Sequence, residues 1–249
     1  MRWIGSLLWV AALASYACGA AGQGENGAVA ASGRSQGGSG TVVRSGTVFV
    51  IHLEQKKDDK AVAMYPGHVF QPGDVVRFRV TARGMEGYLY VIDQGTSGAY
   101  TTLYPAQGTR ADTFLHVDQD VFVPSVEDGW FEVGGPAGFD VLYFVVSPKP
   151  IDLAAGSEEN AKPGPAAPLP DSMKPRCDDS IFRARGECVD STAGPAPLPR
   201  DVPLPPQITA AAKNAARDLV LEENDEDHSV KATAPLDKPA VYIFRLAHQ

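Results

Sequence analysis

The sequence predicts an all-β fold, an immunoglobulin-like β-sandwich, for residues 47–150. Short apolar stretches recur along this segment, and pairs of turn-forming residues separate them, such as Pro66-Gly67 and Pro72-Gly73. Closely spaced strands with short connections are typical of two antiparallel sheets packed face to face. We therefore expect one main core in this block, flanked by segments of a different character.

Individual stretches of the block predict two kinds of strand. In residues 74–81 apolar and polar side chains alternate, which predicts a strand with one buried and one wet face. Residues 88–92 and 142–146 are apolar or aromatic at every position, as expected of strands that are covered on both faces. Further strands are expected at residues 47–53, 99–104, 120–123 and 130–133.

The N-terminus predicts export. Arg2 precedes a short apolar run that ends near Leu13, and small residues follow, so residues 1–20 are interpreted as a signal peptide. The run is shorter than the roughly 20 apolar residues that a membrane-spanning helix needs. Residues 21–46 are Gly, Ser and Ala with scattered polar residues, and this composition predicts a flexible linker.

The three cysteines carry separate expectations. Cys177 and Cys188 are close in the chain, and an exported protein should oxidise such a pair to a disulfide. Cys18 stands in Ala14-Ser-Tyr-Ala-Cys-Gly19, which resembles the lipobox of bacterial lipoproteins, although Ser15 and Tyr16 depart from that pattern. Lipidation of Cys18 and plain secretion are both left open.

The second half of the chain predicts a linker and a small docked element. Residues 151–206 are rich in proline, which favours extended polyproline II, so we interpret them as a semi-stiff spacer that carries the Cys177–Cys188 loop. A recognition arm is the alternative. Within residues 207–249, one or two helical turns are expected at 209–217, and strands at 218–222 and 240–246. Because an isolated hairpin is marginal in water, we expect these strands to form a C-terminal β-hairpin that docks on the sandwich.

Several pieces of the central block together resemble a known family. They are Pro72-Gly-Asp74 before an alternating strand, Gly87-Tyr-Leu-Tyr-Val-Ile-Asp93, Leu103-Tyr-Pro105, Val123-Pro124, and Phe131-Glu-Val-Gly-Gly-Pro-Ala-Gly138. As a set they resemble the bacterial domain-of-unknown-function family 4384 over about residues 66–150. Members of that family are found in exported or envelope proteins. The resemblance implies a non-catalytic accessory or binding module, without a known ligand or assigned functional residues.

Charge and side-chain chemistry narrow the function further. The formal net charge of −8 argues against a nucleic-acid partner, because binding to phosphates needs a basic face. None of the five histidines stands with another His or a Cys at metal-ligand spacing, so we expect no metal site and no cofactor. Tyr100, Tyr104 and Trp130 are the candidate binding aromatics, although aromatic residues in strands are more often part of a core.

These observations favour a non-catalytic, exported or envelope-tethered bacterial protein that serves as a protein- or polysaccharide-binding accessory or assembly module. We expect it in the periplasm, at the outer membrane if lipidated, or outside the cell, with membrane contact only through a lipid on Cys18. The alternative is a secreted hydrolase with a dispersed triad of a Ser, an Asp and either His68 or His116. An exposed aromatic cluster on a sheet face would support binding, whereas a Ser or Asp hydrogen-bonded to one of those histidines would support hydrolysis.

Overall fold

The computed structural model describes residues 45–84, 86–105, 113–125, 129–153, 174–209, 212–217, 219–235 and 237–249. The expected signal peptide, Cys18 and all but the last two residues of the expected Gly/Ser linker lie outside the described residues. Residues 154–173 of the expected proline-rich linker lie outside them as well.

The described residues form fourteen strands and one short helix, α1 (Ser180–Ala184). The strands are β1 (Ser45–Lys57), β2 (Lys60–Met64), β3 (Val69–Phe70), β4 (Val75–Ala82), β5 (Gly87–Gln94), β6 (Tyr100–Tyr104), β7 (Phe114–Leu115), β8 (Asp120–Val123), β9 (Phe131–Glu132), β10 (Gly138–Ser147), β11 (Gly194–Pro197), β12 (Val220–Asn224), β13 (Ser229–Pro235) and β14 (Ala240–His248). The prediction of an all-β fold is confirmed.

The strands make two seven-stranded sheets. In the first sheet the order is β12-β13-β1-β4-β8, with β2 also beside β1 and β9 also beside β4. In the second sheet the order is β11-β14-β10-β5-β6, with β3 beside β14 and β7 beside β5. The paired strands are antiparallel except for β3 and β14, which run parallel. This arrangement is the two-sheet sandwich that the spacing of turns predicted.

The main core lies between the two sheets. In β4 the alternating side chains Val76, Phe78 and Val80 are fully buried, which confirms the predicted single buried face of this strand. The Phe78 ring lies 5.3 Å from the ring of Phe144 in β10 and 5.0 Å from that of Phe244 in β14, in edge-on contacts. Contacts of this kind between strands of different sheets hold the sheets face to face.

The second sheet is also covered on its other face. There Tyr90, Ile92, Tyr143 and Val145 form a second apolar cluster with residues from the proline-rich half of the chain, namely Ile151, Leu198, Leu204, Ile208 and Ala212. The Tyr90 hydroxyl accepts a hydrogen bond of 2.7 Å from the Ile151 backbone N–H. The double-sided burial predicted for residues 88–92 and 142–146 is thus confirmed, and the chain itself supplies the cover.

This cover corrects the prediction that residues 151–206 form an extended spacer. From residue 174 onward the segment belongs to the fold. Strand β11 pairs with β14, and the residues Leu198 and Leu204 are only 2% and 8% exposed to solvent. The physical reason is the burial of apolar side chains. A proline-rich strand at a sheet edge needs few backbone donors, and the leucines between the prolines fill the open face of the second sheet.

The C-terminal hairpin prediction is wrong in its pairing. The strands expected at residues 218–222 and 240–246 are β12 and β14, and they lie in different sheets. The partner of β12 is β13, which was not predicted, and β14 lies between β10 and β11 inside the second sheet. Residues 207–249 therefore complete both sheets, and residues 47–150 do not form the sandwich by themselves.

Two smaller features complete the description. Cys177 and Cys188 form the expected disulfide, with their Cα atoms 4.7 Å apart, and the loop between them holds α1. In the stretch expected to be helical, the Ala212 N–H donates to the Ile208 carbonyl at 2.8 Å. Among the described residues, no helix has the length and apolar character needed to cross a membrane.

Candidate functional site

The outer face of the first sheet, which points away from the core, carries charged and aromatic side chains in register. It exists because β1, β4 and β8 alternate between inward apolar and outward polar residues. Cross-strand pairs place Glu54 opposite Arg77, and Arg79 opposite both His52 and Phe122. The sequence alternation thus builds a continuous row of side chains across three neighbouring strands.

At one end of this face, the Arg77 guanidinium lies between two aromatic rings. Its central carbon is 4.1 Å from the centroid of the Phe122 ring and 4.2 Å from that of Trp130. We call Phe122, Arg77 and Trp130 the aromatic–arginine stack. Phe122 is 36% exposed, so the stack reaches the solvent, and each cation–π contact contributes about 0.5–1 kcal/mol at an exposed site.

Glu54 fixes the arginines of this face. Its Oε2 accepts a hydrogen bond of 2.7 Å from Arg77 Nε, and its Oε1 accepts one of 2.9 Å from Arg79 Nε. Glu54 is only 6% exposed, which is tolerable because both oxygens are paired with cations. The stack is therefore held in one geometry before any partner arrives.

Three further polar side chains of the face, Arg79, Thr81 and His52, each lie beside an aspartate. Arg79 Nη1 lies 3.5 Å from Asp120 Oδ2, and Asp120 Oδ1 accepts a hydrogen bond of 2.5 Å from the Thr81 hydroxyl. His52 Nε2 lies 3.6 Å from Asp227 Oδ2. Burial, and secondly the positive charge of Arg79, lower the pKa of His52 below its usual value. The face thus presents mixed charge rather than a field of one sign.

The structure does not bring the three candidate aromatics together. Trp130 belongs to the aromatic–arginine stack. Tyr100 is partly buried on the second sheet, with its ring 6.4 Å from that of Tyr143. Tyr104 is 3% exposed in the core between the sheets, so its nomination as a surface contact is corrected. Regular alternation would place Tyr100 and Tyr104 on the same face, because they are four residues apart. An irregularity in the pairing of β6, where the neighbouring residues Val91 and Ile92 of β5 face Tyr104 and Thr102, turns Tyr104 inward instead.

Phe122 and Arg77 belong to the candidate site, and sequence reasoning missed both. A signal was present: in Asp-Val-Phe-Val of β8, Val123 is buried, Val121 packs against the core and Phe122 points outward. An aromatic residue at the outward position of a short strand is a surface feature. Arg77 stands at an outward position of β4 in the same way.

The two histidines of the hydrolase alternative have other surroundings. The His68 ring lies 4.8 Å from the ring of Phe70, and burial is the main cause that lowers its pKa. His116 is an exposed side chain whose Nδ1 lies 3.7 Å from Glu86 Oε1. Within the part of the chain that the structure describes, neither histidine has a hydrogen bond to a Ser or Asp, and no group of three or more His, Cys, Asp or Glu is placed to hold a metal ion.

Comparison with known proteins finds a similarity for part of the chain. Neither the curated proteins nor the solved structures that were searched contain a significant match. Residues 69–150 match the model of the family described as Domain of unknown function (DUF4384), which covers β3 to β10 and includes all three residues of the aromatic–arginine stack. The resemblance expected for about residues 66–150 is thereby confirmed: the central part of this chain is similar to the DUF4384 domain of unknown function.

Proposed function

We propose that the protein is an exported, non-catalytic module that binds another protein through the outer face of the first sheet. The observation that carries this proposal is the aromatic–arginine stack, in which solvent-reaching rings enclose a fixed arginine. Trp and Arg are the residue types most enriched where protein interfaces concentrate their binding energy. A patch that is already ordered loses little side-chain entropy on binding.

Two features support a protein partner over a polysaccharide. The first is that Arg77 donates a hydrogen bond from Nε to Glu54, which fixes its position between the rings. The second is that the neighbouring Arg79 and Asp120 carry opposite charges and form a mixed-charge border beside the rings. An apolar centre with a polar, charged border is the usual anatomy of a protein interface. Opposite charges at such a border select a partner with the complementary pattern.

Export is part of the same proposal. It is supported by the N-terminal sequence and by the Cys177–Cys188 disulfide, since disulfides persist in oxidising compartments. The destination is the periplasm, the outer membrane if Cys18 carries a lipid, or the exterior. A mass measurement of the mature N-terminus tests this step: a chain that still begins at Met1 in the envelope fraction would contradict it.

The binding surface is tested by capture from an envelope extract with the mature chain, followed by cross-linking and identification of the captured protein. Phe122→Ala removes one ring of the stack, and we expect capture to fall by about tenfold or more, the typical loss at an interface hot spot. Phe139→Ala is the matched control, because Phe139 also lies on an arginine, Arg245, at 4.2 Å, but on the second sheet.

Equal capture by the Phe122→Ala protein and the unchanged chain would contradict the proposed surface. Captured material that resists protease and is released by glycan-degrading enzymes would contradict the protein partner and identify a polysaccharide instead. Circular dichroism of both variants controls for folding, since each removes one partly exposed ring.

A further inference from the structure

A second site lies at the mouth of the sandwich, in a cavity of about 120 Å³. Polar and apolar surfaces contribute about equally to its walls, which come from both sheets, and two aspartates of the second sheet line it. The lining residues are Asp93, Leu103, Phe131, Glu132, Val133, Gly134, Asp140, Leu142 and Leu246. Glu132 and Gly134 are exposed and mark the open side. We call this cavity the carboxylate pocket.

The carboxylates of Asp93 and Asp140 converge in the pocket. A methyl group added at Gly95 would lie 3.7 Å from Asp140 Oδ1 and 4.0 Å from Asp93 Oδ2, so both oxygens border the same point. Topology brings them together, since β5 and β10 are neighbouring strands and Asp93 pairs with Leu142, two residues beyond Asp140. The lining contains no lysine or arginine, and the potential inside is therefore negative.

Asp93, which lines the pocket, and His248, which lies behind Asp140, both carry unpaired polar atoms. Among the described residues, Asp93 Oδ1 has no hydrogen-bond partner although it is buried, and neither ring nitrogen of His248 has one. His248 is fully buried, and its Nε2 faces Asp140 Oδ1 at 3.4 Å, outside hydrogen-bond geometry. More than nine in ten buried polar groups are normally paired, so the unpaired oxygen of Asp93, a residue that lines the cavity, favours an occupant with hydrogen-bond donors.

We propose that the carboxylate pocket binds an organic cation, a primary ammonium group on a short apolar chain. The ammonium would donate to Asp93 and Asp140, and the leucines and Phe131 would enclose the chain. The volume fits such a ligand, because apolar cavities of about 150 Å³ take up a benzene-sized molecule. A free amine and the end of a partner's lysine side chain share this chemistry. The site is independent of the surface proposed for a protein partner.

The affinity should depend on pH. Burial, and secondly the Asp140 carboxylate, raise the pKa of Asp93 to about 7. A cation binds the ionised carboxylate, so its affinity rises as the pH increases from 6 to 8 and levels off above it. The other charged or titratable groups around Asp93 are Asp140 on β10, Glu132 on β9 and His248 on β14. A purely apolar cavity would show no such dependence.

The test is calorimetric titration of the chain with butylammonium chloride, and with butan-1-ol as a neutral molecule of similar size. We expect a dissociation constant of about 1 mM for the amine at pH 8, as reached by efficient ligands of this size, and binding of the alcohol at least about tenfold weaker. A second arm compares a short peptide containing one lysine with the same peptide acetylated at that lysine. Binding of the unmodified peptide alone would show that the pocket accepts the ammonium group of a lysine side chain as well as that of a free amine.

Two variants make the test specific. Asp93→Asn and Asp140→Asn should each weaken binding of the amine by about tenfold, and Asp93→Asn should also remove its pH dependence. An asparagine at 140 can still accept the 2.9 Å hydrogen bond that Asp140 Oδ1 receives from the Thr96 N–H, so the fold is preserved. Asp201→Asn, at an exposed position, is the control. Equal affinities for the amine and the alcohol would overturn the proposal. A titration in which neither ligand produces any heat of binding would overturn it as well.

Discussion

At the scale of single residues, two carboxylates with little exposure to solvent, Glu54 and Asp93, have different neighbours. Glu54, on the outer face of the first sheet, lies between two arginines and accepts a hydrogen bond from each. Asp93, in the carboxylate pocket, has a second carboxylate beside it and no cation in the lining. Burial, and secondly the Asp140 carboxylate, favour the neutral form of Asp93. Folding therefore depends on pH near neutrality through this group.

Asp93 should therefore destabilise the fold as the pH rises. Well below pH 3.8 the carboxyl is protonated in both the folded and unfolded chains, so it has no effect on the free energy of unfolding. Between its unfolded value of 3.8 and its folded pKa of about 7, only the folded chain keeps the proton. Stability from this group consequently falls through that window, by at most about 4 kcal/mol once the pH exceeds 7.

The substitution Asp93→Asn keeps the shape and removes the titration. We expect its advantage over the unchanged chain to be near zero at pH 4 and to grow to a few kcal/mol at pH 8. Urea unfolding at several pH values measures this difference, with Asp201→Asn as the exposed control. An advantage that stays constant with pH would show that the Asp93 pKa is not raised in the folded protein.

Individual residues of the candidate sites were only partly predictable. Trp130 was nominated from its residue type, and strand parity would have added Phe122. The carboxylate pocket could not be found in this way, because Asp93, Asp140 and Leu246 come from β5, β10 and β14, which are far apart in the sequence. Only the order of strands in the second sheet places them side by side.

At the scale of elements, the most consequential piece is the proline-rich cover of the second sheet. The face formed by β5, β10 and β14 exposes Tyr90, Ile92 and Tyr143 to it, and Ile208 in the cover is completely buried against them. The apolar pattern of β5 and β10 required some cover, and the sequence indicated it correctly. The covering segment was harder to identify, because alternating prolines and leucines also describe a free polyproline arm.

Ile208→Ala tests whether this cover stabilises the protein. Because the side chain is fully buried, its truncation should lower the free energy of unfolding by about 2–4 kcal/mol. Ile181→Ala makes the same chemical change on α1, where the side chain is 63% exposed, and should cost less than about 0.5 kcal/mol. Urea denaturation compares the two. Equal, small losses would mean that residues 198–212 are a spacer after all.

The longest of the strands that were not predicted is β13. Its sequence, Ser-Val-Lys-Ala-Thr-Ala-Pro, contains Val230 as its single large apolar residue, so the periodic signal was weak. In the sheet, small Ala232 and Ala234 point into the core beside β1, where larger neighbours already fill the space. A strand whose inward residues are small is specified by its neighbours more than by its own pattern.

At the scale of the whole molecule, the described residues share two sheets whose strands come from both halves of the chain. The segment similar to the family of unknown function supplies β3 to β10. It lacks β1 and β13 of the first sheet and β14 of the second, which lie between other strands. Both the outer face with its aromatic–arginine stack and the carboxylate pocket therefore depend on strands outside that segment, since Glu54 is on β1 and Leu246 on β14.

The most direct test of this account is amide hydrogen exchange of the mature chain, read out by peptide mass spectrometry. We predict that amides of β14 (residues 240–248) and β13 (residues 229–235) are protected as strongly as those of β5 and β10, because all four strands have neighbours on both sides or pair within a covered sheet. Exchange of residues 229–248 at the rate of an unfolded segment, with β5 and β10 still protected, would contradict a sandwich completed by the C-terminal strands.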